Sequence, residues 1–241
     1  MRSAGYDLTP VWQLASRPLV LHLKEIFRAY EIDCVFDVGA NQGQYYDLLR
    51  TEVGFRGTVL SFEPVRKYVD LLESRAKTES DWTIFDFALG SKNETQSINV
   101  TKSPGLNSFL VPKDENQVAK IEAVEIKTLD SIFEDLRKRY GFRAPYLKLD
   151  TQGLDLEVLK GAHESIRHYH ALQTEASLRP IYEDMPGYKE SLDRFLAAGF
   201  EVTGMFAVWR DEALRLVEFD CVMASKVLAD SLERSNPIAV A

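Results

Sequence analysis

From Ile32 onward the sequence alternates short β-type runs with stretches of helical periodicity, the pattern of a largely parallel sheet covered by helices on both faces. Ile32 to Val38 reads as a buried strand, Gln42 to Val53 as a helix with Tyr45, Leu48 and Leu49 at helical spacing, and residues 54–57 as its break. Thr58 to Phe62, Val65 to Lys77 and Trp82 to Phe87 continue as strand, helix and strand. Residues 91–128 interrupt the rhythm. They hold two β-type stretches, Gln96 to Thr101 and Ile121 to Lys127, joined by a loop with Pro104, Gly105, Asn107 and Pro112, and read as a hairpin-like insertion. The alternation resumes with a helix at Leu129 to Tyr140, a strand at Tyr146 to Leu149, a short helix from Leu154 to Lys160 stopped by Gly161, a strand at Ala171 to Thr174 and a helix at residues 187–198. Phe200 to Trp209 and Leu214 to Ala224 suit a closing antiparallel hairpin. One α/β domain at 31–226 follows, with a helical extension at 1–30 and a tail at 227–241.

The extension carries Val11, Trp12, Leu14, Leu19, Val20, Leu23, Ile26 and Phe27 among Arg17, Lys24, Glu25 and Arg28, so it reads as an amphipathic helix packed on the domain rather than a membrane span. With 29 basic and 37 acidic side chains, a formal charge of -8 repels phosphate backbones and anionic lipid, so neither nucleic acid nor membrane is an expected partner. The two cysteines, Cys34 and Cys221, lie in strand-like segments and form no disulfide framework or zinc cluster, which points to a reducing cytoplasm.

Residues 35–43 read Val-Phe-Asp-Val-Gly-Ala-Asn-Gln-Gly, a strand running into a glycine turn and then a helix. Gly39 permits the tight turn, Gly43 lets helix and strand approach, and amides at the helix start can face a ligand carboxylate. An acidic residue followed by glycine at +2 and +6 is common by chance, and Asp37, Gly39 and Gly43 can simply end a core strand. The context decides: twenty residues on, at the end of the second strand, Glu63 can accept hydrogen bonds from a ribose. Asn41 stands where a dinucleotide fingerprint has glycine, which hinders the close approach of a pyrophosphate but tolerates an amino-acid tail. S-adenosylmethionine is therefore favoured over a nicotinamide cofactor. After the third strand, Asp86 and Ala88 flank the place of an adenine ring, or merely end a strand.

Residues 146–162 read Tyr-Leu-Lys-Leu-Asp-Thr-Gln-Gly-Leu-Asp-Leu-Glu-Val-Leu-Lys-Gly-Ala. Together with residues 35–43, 61–64 and 175–182 this stretch resembles the FkbM family of methyltransferases, over about Ile32 to Met223. The resemblance implies a Rossmann-like class I methyltransferase, with a mostly parallel seven-stranded sheet, S-adenosylmethionine as donor, and O-methylation of a hydroxyl on a sugar, polyketide or related metabolite. Many members carry Glu where this chain has Gln152, whose neutral amide suits hydrogen bonding rather than proton removal.

Methyl transfer is an in-line displacement that needs an aligned acceptor oxygen and a place for its proton. Asp150, beside Lys148 at the end of the fourth strand, is the first candidate base, or else holds the cofactor's ammonium. Glu175 is the second candidate; with Asp150 it makes too thin an oxygen shell for a metal ligand to be assigned. Asn107 and Ser108 at the insertion tip, with Gln152 and Tyr182, are candidate acceptor-binding groups; the first two equally suit a plain turn. His163, His168 and His170 precede the fifth strand, at the edge away from the expected site, and read as solvated or capping. Two other readings stay open: an NAD(P)-dependent oxidoreductase on the same strand and turn, and a non-catalytic nucleoside-binding module, suggested by Gln152.

Overall fold

The computed structural model describes residue 10 and residues 14–235. The expected contributions of Val11 and Trp12 lie outside the described residues. Helix α1 (Arg17–Ala29) buries Val20 and packs Leu19, Leu23, Ile26 and Phe27, at helical spacing, against Val35, Tyr146, Ala171 and Val222 on one sheet face. Each such side chain contributes roughly 1.5–3 kcal/mol of burial.

The seven-stranded sheet runs β3-β2-β1-β7-β8-β10-β9. Its strands are β1 (Cys34–Val38), β2 (Thr58–Phe62), β3 (Trp82–Phe85), β7 (Pro145–Leu149), β8 (Ala171–Ser177), β9 (Phe200–Arg210) and β10 (Leu216–Ser225). The first five are parallel, and β10 pairs antiparallel with both β8 and β9. Between β1 and β7 the strand order reverses, which opens a crevice at the carboxyl ends of the strands. Helices α3 (Arg66–Ala76), α4 (Leu129–Tyr140), α5 (Asp155–Lys160) and α6 (Tyr188–Ala197) connect the strands. Thr128 caps α4 by accepting a bond from Ser131 N, and Gly141 closes it at φ 69°.

Three features depart from the sequence reading. The expected helix after β1 begins as α2 (Gln44–Asp47) and widens into a π-helical turn over Leu48–Val53, where Arg50 bonds the carbonyls of Phe55 and Gly57 and pairs with Asp81. The third strand stops at Phe85, because the chain turns out to form β4 (Ala88–Leu89), which joins β5 (Glu94–Thr101) and β6 (Val118–Lys127) in a separate sheet of order β4-β6-β5. The hairpin-like insertion is thus β5 and β6 with a third, parallel strand added. Beyond β10 the expected tail contains helix α7 (Lys226–Ser235).

One contact positions the crevice. Gly39 sits at φ 81°, and a Cβ there would stand 2.0 Å from the Asp150 carbonyl oxygen. The loops after β1 and β7 lie against each other, joined by the bond from Asp150 N to Val38 O at 3.1 Å. At Gly141, φ is also left-handed but a Cβ would meet nothing. Gly141→Ala should therefore cost about 1 kcal/mol of backbone strain, and Gly39→Ala more than about 3 kcal/mol, because the loops must also separate. Urea unfolding of both variants measures this, and equal losses would show that the contact with Asp150 does not matter.

Candidate functional site

A polar row crosses the sheet at one register. Ser61 on β2, Asp37 on β1, Lys148 on β7 and Gln173 on β8 are successive partners. Trp82 Nε1 donates to Ser61 Oγ at 2.9 Å, and Ser61 Oγ donates to Asp37 Oδ2 at 3.1 Å. Lys148 Nζ stands 3.3 Å from Asp37 Oδ1 and 3.4 Å from Asp150 Oδ2. Burial alone would lower the lysine, but Asp150 and Asp37 outweigh it and hold the ammonium above its ordinary value. Asp37 is fully buried and holds Lys148 from beneath the cavity rather than lining it.

Above this row is a cavity of about 370 Å³, within the range of small-ligand sites. Of the residues singled out from sequence, Gly39, Asn41, Glu63, Ala88, Asn107, Lys148, Asp150, Gln152 and Glu175 line it. Asp37, Gly43, Asp86, Ser108 and Tyr182 are not part of that lining. Gly43 (φ 86°) serves packing: a Cβ would press on Arg75, Leu72 and Trp82. Asp86 is exposed beyond the end of β3, while Ala88 faces the cavity because the chain has turned into β4.

In the glycine turn, Gly39 N and Ala40 N donate to Phe62 O, Gly43 N to Ala40 O, and Asn41 N to Glu63 Oε2 at 2.8 Å. Gln42 N is taken up by its neighbour Gln44, through Oε1 at 3.1 Å. The turn therefore presents fewer open amides than its sequence suggests, and Gln42 N is the one whose partner is an exposed side chain. Asn41 adopts φ 50°, a left-handed conformation that asparagine tolerates well. Glu63 is 5% exposed and accepts from Val65 N as well as Asn41 N. Each carboxylate oxygen has a second lone pair for a ligand hydroxyl. Burial pushes Glu63 up to about 7, against the opposing pull of those two amides.

The loop after β7 builds the other wall. Gln152 (φ 53°) and Gly153 (φ 96°) turn left-handed in succession, and Asp155 pins the turn by accepting from Thr151 N, Thr151 Oγ1 and Thr174 Oγ1. Gln152 Nε2 then donates to Asp150 Oδ1 at 2.9 Å and to Glu175 Oε2 at 3.1 Å. Its Oε1 lies 3.1 Å from the Tyr182 hydroxyl, which also reaches Leu106 O at 2.9 Å. Ser108 Oγ donates to Gln152 O at 2.8 Å and ties the insertion to this loop, while Asn107 Oδ1 accepts from Thr101 N within the insertion.

Burial, then repulsion by Asp150, Glu218 and Asp220, pushes Glu175 up to about 10. Burial raises Asp220 to about 6 and Glu218 to about 7, with Asp150 adding to both. Gln173 and Asp220, both lining the cavity, escaped the sequence reading, as did the Tyr45 hydroxyl that donates to Gln173 Oε1 at 2.9 Å. The available signal was a polar residue inside an otherwise apolar strand, as in Ala-Leu-Gln-Thr and Phe-Asp-Cys-Val. The three histidines lie away from the cavity: His168 stacks on Phe133, His170 Nδ1 contacts Tyr30 O, and His163 pairs with Glu164.

A family model for the Methyltransferase FkbM domain matches residues 37–202. No curated protein matches the chain. Among solved structures, a Methyltransferase FkbM from Methylobacillus flagellatus KT is 18% identical with a TM-score of 0.49, over 79% of this chain and 43% of that one. Aeropyrum pernix fibrillarin with natively bound S-adenosyl-L-methionine is 10% identical with a TM-score of 0.43, over 80% of this chain and 66% of that one. Magnesium protoporphyrin IX methyltransferase from Synechocystis PCC 6803 with bound SAM is 10% identical with a TM-score of 0.46, over 92% and 88%. The chain thus spans less than half the length of the Methylobacillus protein. S-adenosylmethionine is the cofactor of the family. The match over residues 37–202, more than half of the 241, makes this chain a member of the FkbM family of methyltransferases.

Proposed function

We propose that this methyltransferase moves a methyl group from S-adenosylmethionine to a hydroxyl oxygen of a small molecule or glycan, in a cytoplasmic setting and without nucleic acid or membrane as partner. The observation that carries the reading is a single cavity whose one wall is Gly39, Asn41 and Glu63 and whose other is Asp150, Gln152 and Glu175. The first wall offers the turn and the carboxylate that suit an amino-acid tail and a ribose. The second offers carboxylates for an acceptor and its proton. Among the described residues no helix is long and apolar enough to cross a membrane.

Bound S-adenosylmethionine supplies a methyl carbon on a positively charged sulfur. Held there, that carbon would pass to the acceptor oxygen, the new C–O bond forming as the C–S bond breaks with its electrons left on sulfur. The acceptor's proton goes to Asp150, oriented from one side by Lys148 and from the other by Gln152. Glu175, at about 10, holds its proton at neutral pH and so serves as a donor to the acceptor rather than as the base. Calorimetric titration should show binding of both S-adenosylmethionine and S-adenosylhomocysteine; folded protein that binds neither defeats the reading. Asp150→Asn should keep adenosylhomocysteine binding and lower turnover at least about 100-fold, read by mass spectrometry as loss of methylated products from cell extracts. Undiminished turnover would remove Asp150 as the base.

The raised carboxylates also fix the sign of a pH effect. Glu63 and Glu218 at about 7, Asp220 at about 6 and Glu175 at about 10 bind protons more tightly folded than unfolded, so from roughly 4.5 up to 7, and through Glu175 beyond it, the folded protein carries the extra protons and loses stability as pH rises. Carboxylates held low, such as Asp130, act below that window. The melting temperature of the protein alone should fall from about pH 5 to about pH 8, and Glu63→Gln should flatten part of that fall. A melting temperature that climbs over this range contradicts the assignment.

A further inference from the structure

A second, larger cavity of about 710 Å³ lies between the insertion, residues 179–182 and the β9–β10 hairpin. The two cavities meet at one partition. Gln152 lines the smaller, Tyr182 lines the larger, and the two side chains are in hydrogen-bond contact. On β10, Asp220 lines the smaller cavity and Glu218, two residues away and on the same face of the strand, lines the larger. The larger cavity adjoins the smaller one across this partition, next to the wall of Asp150, Gln152 and Glu175.

Glu218 is the unusual member of its lining. It is 6% exposed, and its Oε1 is buried with no hydrogen-bond partner among the described residues, nor does a cation pair with it there. A buried carboxylate without donors is costly unless a ligand supplies them. The smaller cavity, which would hold the donor, is lined by Asp150, Glu175 and Asp220 and not by Glu218. Lys148 is committed to Asp37 and Asp150; of the cations lining the larger cavity, Lys113 bonds Pro180 O at 2.7 Å and Arg179 forms no ion pair with Glu218. Across the β9–β10 ladder Glu218 is the partner of Trp209, which is 48% exposed and lines the same cavity. A carboxylate and an indole on paired strand positions, lining one cavity together with Tyr182, supply the chemistry that holds an ammonium group through an ion pair and a cation–π contact.

Resting on the methyl-transfer reading, we propose that the acceptor binds in this larger cavity and that, besides its hydroxyl, it carries a protonated amine held between Glu218 and Trp209. Burial and the repulsion of Asp150 and Asp220 raise Glu218, and a cation beside it relieves that repulsion. The amine is a recognition group; the methylated atom remains the hydroxyl oxygen turned toward Asp150.

The test uses the full chain with S-adenosylhomocysteine, and as probes trans-4-aminocyclohexanol and its N-acetyl derivative, which differ in charge but share the hydroxylated ring. Calorimetry or saturation-transfer NMR should show the amine binding at least about tenfold more tightly than the acetamide, about 1.4 kcal/mol. Glu218→Gln should erase that preference, and Trp209→Ala should weaken the amine. Equal affinity of the two probes for the unmodified protein, including no binding of either, overturns the proposal without relying on any variant to fold. So does a preference that survives Glu218→Gln. Adenosylhomocysteine binding is measured separately. Its absence, with the amine preference intact, would sink the methyl-transfer reading and leave an ammonium site standing.

Discussion

The site depends on two loops lying closer together than side chains would allow. At the reversal of strand order, the turn after β1 and the loop after β7 touch through the backbone of Gly39 and Asp150. That contact fixes where the Asp150 carboxylate emerges relative to the glycine turn. The ion pair just below it, Asp37 with Lys148, is almost fully shielded from water. Such a pair adds little net stability, because desolvating both charges offsets most of their attraction, but removing one partner leaves the other stranded at roughly 3–5 kcal/mol. Its effect is positional. Lys148 is held in one orientation, and through it one side of Asp150.

Gln152 supplies the other side. As a neutral amide it donates one hydrogen to Asp150 and one to Glu175 and still accepts at its oxygen. A glutamate there would add another carboxylate to Asp150, Glu175, Asp220 and Glu218, and could donate only if protonated. The departure from the resemblance noted at this position thus leaves the carboxylates bridged by a group that does not titrate. A non-catalytic role drawn from Gln152 loses its motive once the amide is seen to orient two acids.

Most of the fold was legible because it rests on local signals. Apolar spacing, the glycine turn and the hairpin near the C-terminus mark elements that form within a few residues of the marked positions. Element ends that depend on distant partners were not. The end of β3 at Phe85 is decided by β4 pairing with β6 some forty positions on, and the fate of Asp86 follows from it. The motif residues Gly39, Glu63, Lys148 and Asp150 were readable from the strand ends they occupy. Gln173, Asp220 and Glu218 were not, because which side chains share a face with Asp150 is a matter of register between strands far apart in sequence.

That register has a further consequence at the antiparallel strand. Parallel strands bring only their C-terminal ends to the ligand edge of the sheet. Because β10 runs the opposite way, its opening half, with Glu218 and Asp220, reaches that edge, and the closing residues of β9, Val208 and Trp209, come with it. In the proposed reading, donor binding and acceptor choice therefore sit on different parts of the chain. The former belongs to the tightly packed turns after β1, β2 and β7. The latter belongs to a hairpin at the sheet's edge whose outer strand is largely exposed and free to vary without disturbing the ion pair at the centre.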